Sequence, residues 1–450
     1  MTARGDLRCW LANLAGRGEL RTLTSEINPD QDVAAVLEHA DGRYAVRFDA
    51  VRGSAFPLVG NSVTGRAHFA LAMDCPPERV VARLAAAIAA PRACVTIEPR
   101  AAPVLAVRDD GDDLLGDLPL PVQHEHDGGR YLTSAVVAAR DPRTGKVNLS
   151  VNRLQVTGQR ELRALMLPGR LAAIFAECER SSTDLPVVLC VGVDPLLLLA
   201  SQAPADPGLD DFEVASALHS EPLQVTTLPD AGIPVPARAE MLLTGSFRAG
   251  RRGAEGPFGE YPRTYGPGGP APVLELSARY HREDAIVQTI LSGGREHFLL
   301  GGLPREARMA QALGAAGVNV AALRLTEGGS CRMHAVIAVR SPRPGTAQHA
   351  AMAVFAAVTT LKHVVIVDDD VDVFDSEQVE WAIATRTQAD RDLLVIPRTV
   401  GSSLDPSADA GTTAKLVVDA TVPPGARDRF ARMRPASAVR DAYLAELEGR

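Results

Sequence analysis

The sequence predicts a multidomain protein built from α/β and α+β units: an N-terminal α/β unit, a central barrel-like α+β domain and a C-terminal α/β domain. Three observations predict this. The chain has 450 residues, enough for about three domains at roughly 100–200 residues each. Its composition, 46% hydrophobic and 23% charged, supplies ample material for packed cores and excludes wholesale disorder. Its texture changes twice: helices and strands up to about residue 95, short β-rich runs between Gly/Pro turns from Leu118 to about Leu303, then helices and strands again.

The opening helix rests on Leu7, Trp10, Leu11 and Leu14, whose i, i+3, i+4, i+7 spacing makes one apolar stripe; Gly16 and Gly18 close it. A strand over 44–48 and a helix over 77–90 complete the first unit. In the centre, runs 134–139, 147–151, 187–193, 273–276 and 285–291 read as strands, and 162–178 as a helix. The tract 245–272 is rich in Gly, Pro and Arg and reads as a long irregular loop, either functional or disordered. Its arginines at 248, 251 and 252 either gate a site or are solvated. In the last third, 346–360 is an Ala-rich helix and 363–367 a strand. Residues 376–386 form a helix capped by Asp375 with Gln378, and 393–396 form a buried strand.

Net charge −8 argues against nucleic acid or an anionic membrane as the main partner. No apolar run approaches the roughly 18–20 residues that span a bilayer, and Met1 to Asp6 carries no signal-peptide core, so the chain reads as cytoplasmic. The six cysteines are scattered with no C-x-x-C pair, which argues for reduced thiols. His124-Glu125-His126 reads as a polar loop rather than a metal site.

Three constellations could carry chemistry. In Glu255-Gly256-Pro257-Phe258-Gly259-Glu260 two carboxylates flank a rigid turn, so both can face one cavity; unequal surroundings would leave one ionised and one protonatable. The alternative is two solvated turn acids. On an extended strand Asn148, Ser150 and Asn152 share one face and Val151 and Arg153 the other, offering amide oxygens and a guanidinium fork, or simply a polar edge strand. Asp368-Asp369-Asp370 follows a strand, as a metal-holding cluster would, or as turn and helix-capping acids would.

Taken in order, these motifs resemble the UbiD-like family of prenylated-FMN-dependent (de)carboxylases. The resemblance runs nearly end to end: Asp6-Leu7-Arg8, the strand 148–153, Ala239-Glu240, the hexapeptide 255–260, Arg282-Glu283-Asp284, 364–370, Trp381-Ala382-Ile383-Ala384-Thr385-Arg386 and 415–421. It implies an N-terminal α/β domain over 1–113, a split β-barrel flavin-binding domain over 114–304 and a C-terminal α/β oligomerisation domain over 305–450. It implies non-oxidative, reversible decarboxylation of an α,β-unsaturated or (hetero)aromatic acid: the cofactor's dipole adds to the substrate, carbon dioxide leaves, and Glu260 protonates the vacated carbon. Glu255 is expected to hold Arg153, and Arg153 to orient flavin and substrate.

The same resemblance places the flavin against Asn148, Val151, Asn152, Arg153, Leu165, Met166, Leu167, Arg170 and Lys415. A divalent ion (Mn2+ or Mg2+) would sit on Asn148 and Asp211, and K+ is a further candidate ion. The family's histidine ligand is missing, because the segment reads Leu167-Pro168-Gly169-Arg170-Leu171. Either an arginine neutralises the phosphate in place of the ion, or the ion is kept with a water in the histidine's position. The implied partners are a small carboxylic acid, a flavin prenyltransferase that supplies the cofactor, and further copies of the chain as a homodimer or larger assembly. Two alternatives stay open: a flavin-binding homologue that has lost decarboxylation, and a metal-dependent transferase using Asp368 to Asp370.

Overall fold

The opening stripe folds as helix Leu7–Gly16, which buries Leu7, Trp10, Leu11 and Leu14 and is capped by Asp6, whose carboxylate accepts from the Cys9 N–H at 2.8 Å. The computed structural model describes residues 5–203, 208–423 and 425–433, with Tyr443 and Leu447; residues 1–4, part of the opening stretch read above, lie outside these. The N-terminal sheet runs Leu20–Leu23, Ala45–Phe48, Leu58–Gly60 and then, from far along the chain, Val287–Thr289. A buried ion cluster fastens this unit to the centre. The fully buried Glu240 accepts from Arg8 Nε and Arg282 Nη1, each at 2.8 Å, and from the Ile286 N–H at 3.0 Å. Arg8 also reaches Asp284 at 2.6 Å. Motifs dispersed over 280 positions of sequence thus meet at one point, each buried charge with its partner.

The central sheet is ordered Tyr131–Leu132, Leu154–Val156, Glu161–Ala164, Gly269–His281, Met241–Glu255, Leu185–Val191, Val136–Arg140, Val147–Val151, with Val107–Asp109 beside Gly269–His281. The first and last strands of this order are linked to the opposite edge by very short connections. Residues 133–135 join Leu132 to Val136, and only Asn152 and Arg153 join Val151 to Leu154. A flat sheet of that many strands, about 4.8 Å apart, would put its edges roughly 30 Å from each other, and two residues reach only about 10 Å. The sheet must therefore curl until its edges meet, giving a split half-barrel. Both faces are covered. Val137, Ala139, Val187 and Leu189 pack inward with Leu154 and Leu162, while Val136, Ala138, Val188 and Cys190 pack against helices Val80–Ala89, Pro195–Ala200 and Asp211–Leu218. That double burial is why 187–191 reads as a continuous apolar run.

The C-terminal sheet runs Val320–Leu325, His334–Val339, His363–Asp368, Thr412–Ala420, Leu393–Val400, parallel at its centre. Helix Ser376–Arg386 starts as expected: Asp375 accepts from the Glu377 and Gln378 N–H groups at 3.0 and 3.3 Å, and Gln378 Nε2 donates back to Asp375 at 2.9 Å.

Three expectations are corrected. The segment 162–178 is not one helix. Residues Glu161–Ala164 form a strand, with Leu162 and Ala164 inward, and the helix is Arg170–Arg180, after Pro168-Gly169. The tract 245–272 is not an irregular loop but the ends of two long strands, Met241–Glu255 and Gly269–His281, around a short turn region. Its arginines are solvent-exposed, as the solvated reading expects, and each is paired with an acid. Arg248 pairs with Asp184 and Glu275, Arg251 with Glu275, and Arg252 with Glu179, so cross-strand charge holds together what composition marked as irregular. Strand 393–396 is an edge with Val395 61% exposed, not a buried strand. Cys75, Cys94, Cys178, Cys190 and Cys331 are free thiols, and no helix among the described residues is long and apolar enough to cross a membrane.

The aspartate run is taken up by Arg386, whose Nη2 meets Asp370 at 2.7 Å and whose Nη1 meets Asp368 at 3.4 Å under the Trp381 ring. Asp368 also accepts from the Val422 N–H at 2.7 Å, and Asp369 lies 3.7 Å from the exposed Arg427. Arg386→Ala strands a buried carboxylate and is expected to cost about 3 kcal/mol, whereas Asp369→Ala should stay within about 1 kcal/mol. Thermal melting of the two variants checks the order; equal shifts would contradict it.

Candidate active site

The two-residue link that closes the half-barrel is also where chemistry gathers. Arg153, at the split, is buried, and its fork is divided between two carboxylates: Nη1 donates to Glu260 Oε1 at 2.5 Å and Nη2 to Glu255 Oε2 at 2.7 Å. The guanidinium stands over the Phe258 ring at 5.2 Å. Glu255 ends a long strand and Glu260 follows the short strand Phe258–Gly259, so the turn between them fixes their separation. That turn needs Gly256. Its φ is +85°, and a Cβ there would lie 2.9 Å from Gly268 Cα. The loop 124–128 clamps it from outside: the Gly128 N–H donates to Pro257 O at 2.7 Å and the Gly259 N–H to Asp127 at 2.8 Å. The His124-Glu125-His126 segment thus supports the hairpin as a polar loop.

The two acids differ in their access to the cavity. Burial pushes the Glu260 carboxyl above the usual range, with Arg153 and the Tyr261 N–H pulling only partly the other way. Glu260 lines the cavity; Glu255 sits behind Arg153.

The cavity encloses about 630 Å³ and is bounded by the strand Val147–Val151, the 165–171 segment, helix Arg295–Ala315 and residues 357–360. Asn148, Val151, Asn152, Arg153, Leu165, Leu167, Arg170 and Glu260 all line it, as one surface. Met166 does not; it packs against the barrel core. Lys415 lies one layer back, its Nζ donating to Thr359 O at 2.8 Å and Leu361 O at 2.6 Å, above the Phe355 ring. Burial lowers its pKa to about 8. Four buried polar groups on the lining, Asn148 Nδ2, Arg153 Nε, Arg170 Nε and the Thr360 hydroxyl, have no hydrogen-bond partner among the described residues. Donors left so in a cavity call for a ligand rich in acceptors and negative charge.

The pair Asn148 and Asp211 does not fit a divalent ion. Asp211 spends one oxygen on the Leu149 N–H at 2.7 Å and the other on Arg170 Nη1 at 3.1 Å, so a guanidinium stands where a cation would have to bind. Arg170 Nη2 is held by Leu209 O at 2.8 Å. No cluster of three or more His, Cys, Asp or Glu side chains able to hold a metal occurs among the described residues, the aspartate run included.

Sequence reading missed one wall of the cavity. His297, Tyr261, Arg305, Arg332 and Ser402 come from four separate segments that only the fold brings together. The one local signal was the unusual Gly301-Gly302-Leu303-Pro304 inside a helix.

The chain matches three descriptions of one family in order: the 3-octaprenyl-4-hydroxybenzoate carboxy-lyase N-terminal domain over residues 11–88, its Rift-related domain over 95–295 and its C-terminal domain over 298–420. Among solved structures, the UbiD-class enzyme HmfF of Pelotomaculum thermopropionicum, in complex with FMN, superposes with a TM-score of 0.93 at 43% identity, over 96% of this chain and 97% of that one. The apo 3,4-dihydroxybenzoic acid decarboxylase of Enterobacter cloacae gives 0.91 at 27% identity, over 98% and 99%. The anhydromevalonate phosphate decarboxylase of Methanothermobacter thermautotrophicus is 34% identical over 417 residues, 92% of this chain and 97% of its own. With all three domains present in sequence, and a half-barrel whose split carries an arginine between two glutamates, the chain belongs to the UbiD family of carboxy-lyases.

Proposed function

We propose that this protein is a cytoplasmic, prenylated-FMN-dependent decarboxylase of an α,β-unsaturated or (hetero)aromatic acid, R–COO⁻ + H⁺ → R–H + CO2, with 114–304 as the cofactor-binding region and 305–450 mediating a homodimer or larger assembly. The observation that carries it is the Arg153 fork shared by Glu255 and Glu260 on a cavity with unmatched buried donors. A phosphorylated flavin fits those donors: Asn148 and Arg170 would hold its phosphate, and Arg153 and the Val151-Asn152 backbone its ring system, with Leu165 and Leu167 against its apolar parts. When bound, the prenylated flavin, made by a flavin prenyltransferase, supplies the electron-accepting centre that allows carbon dioxide to leave.

The protein's own part is positioning and proton transfer. Glu255 fixes Arg153, and Arg153 draws the substrate carboxylate to the reacting edge. Glu260 then delivers a proton from its carboxyl oxygen to the carbon that lost carbon dioxide; burial keeps that oxygen protonated at higher pH than an ordinary glutamate. Arg170 takes over phosphate neutralisation from the divalent ion that Asn148 and Asp211 do not fit.

Glu260→Gln is expected to retain flavin, read from its visible band, and to lose about 10²–10⁴ in carbon dioxide release; wild-type turnover would remove Glu260 from proton transfer. Because the donor must be protonated and its pKa is raised, wild-type kcat should hold through the ordinary glutamate range and fall only as pH climbs past the raised value. A limb at the ordinary value would show that burial does not govern the group. Lys415→Met is expected to purify with less flavin after gel filtration, and full occupancy would take Lys415 out of the cofactor's site.

A further inference from the structure

The missed wall of the cavity is cationic beyond what the reaction described so far uses. Helix Arg295–Ala315 contributes His297 and Arg305, and the turn before strand His334–Val339 contributes Arg332. Arg332 is 6% exposed. Its Nη1 reaches only the Phe298 carbonyl at 3.4 Å, and Arg305 Nη1 reaches the Gly301 carbonyl at 2.6 Å. Among the described residues neither guanidinium has a carboxylate partner, whereas Arg153 has two and Arg170 one. Among the described residues the only acid on the cavity lining is Glu260, already engaged by Arg153.

The neighbours make this wall a set of pure donors. Burial and the adjacent Arg332 pull Arg305 down to about 9. His297 Nδ1 accepts from the Gly293 N–H at 3.2 Å, so its hydrogen sits on Nε2; burial and the two guanidinium groups lower its pKa to about 3 and keep it neutral. The helix carries Gly301, Gly302 and Pro304 where it meets this turn. A Cβ on Gly301 would overlap the Arg332 guanidinium, and one on Gly302 would meet Cys331 Cβ at 2.8 Å. Two glycines and a proline inside a helix cost about 1 and about 3 kcal/mol apiece. They let Arg332 lie flat against the helix while its charge faces the cavity. Buried cations without counter-charge are costly and persist where a ligand completes them.

We propose that this wall binds a second anionic group of the substrate, so that the acid decarboxylated is a dianion: one carboxylate that leaves and a second carboxylate or a phosphate that stays, on one small unsaturated or aromatic skeleton. This rests on the decarboxylase reading above and names its substrate class. The position supports substrate rather than cofactor phosphate. Arg332 stands over the ring of Tyr261 at 5.2 Å, next in sequence to the proton donor Glu260, while Asn148 and Arg170 form a separate donor group beside Asp211. A monoanion would leave two guanidinium groups unmatched, so the wall both attracts the dianion and rejects its singly charged analogue.

The test uses the flavin-loaded enzyme from co-expression with a flavin prenyltransferase and three acids on one aromatic skeleton: the monocarboxylate, the dicarboxylate and the phosphate-bearing carboxylate. Carbon dioxide release gives kcat/KM, and the shift of the flavin visible band on titration gives Kd without turnover. One dianion is expected to exceed the monocarboxylate by about 10²-fold in both, and which dianion does so tells carboxylate from phosphate. In Arg332→Gln and Arg305→Gln that preference should shrink to about tenfold or less, through KM, with flavin content unchanged. A monocarboxylate that binds and reacts as well as both dianions overturns this proposal and leaves the decarboxylase reading standing. Flavin lost from both variants overturns it too, assigning the arginines to cofactor phosphate. A dianion that binds in an arginine-dependent way without releasing carbon dioxide upholds the anion site and overturns the decarboxylase reading instead.

Discussion

One guanidinium shared by two carboxylates is the constraint on which the rest of the site depends. Burying a guanidinium and two acids is expensive unless each finds partners, and Arg153 meets this by giving one nitrogen to Glu255 and another to Glu260. The two acids must then sit at a fixed separation on the same side of the arginine. The tight turn at Gly256, its clamp at 124–128 and the pairing of Met241–Glu255 with Gly269–His281 are the means by which the chain secures that separation. Glu260 lines the cavity while Glu255 sits behind the arginine, so on the proposed function one acid anchors and the other transfers a proton within a single charge network.

Much of this was legible in the sequence, for stated physical reasons. The stripe Leu7, Trp10, Leu11, Leu14 and the Asp375 cap are local, and local periodicity and side-chain-to-backbone bonding decide them. The trio was legible because its spacing around a Gly-Pro turn limits what the backbone can do, and because the surrounding motifs occur in family order. The misreadings share one cause. The tract 245–272 is irregular by composition, yet its arginines find acids on Glu179, Asp184 and Glu275, which only the folded sheet places alongside. Residues 161–164 lie next to a helical segment and alternate only weakly, so pairing with Leu154–Val156 and Gly269–His281 settles them as strand. Arg305 and Arg332 have no shared sequence pattern at all; their meeting is a product of tertiary packing around Gly301.

The departure at 169–171 also gains a physical explanation. A lost histidine leaves a site with too few ligands for a hard cation, but the arginine beside it supplies fixed positive charge without coordination demands. Arg170 is oriented by Asp211 and by the Leu209 carbonyl, so the residue expected as a metal ligand here orients a guanidinium. On the proposed function, the charge that neutralises the flavin phosphate is retained while its carrier changes.

The stitch of Asn152 and Arg153 across the open edges of the sheet has a consequence for how this scaffold can diversify. Barrel curvature and the placement of the reactive guanidinium are fixed by the same two peptide units, so neither can drift without the other. The helix and turn that carry His297, Arg305 and Arg332 lie outside that stitch and are tied to each other at Gly301 and Gly302 instead. Novelty in what the molecule accepts is therefore free to accumulate on that side, while the bond-breaking half stays frozen by its own topology.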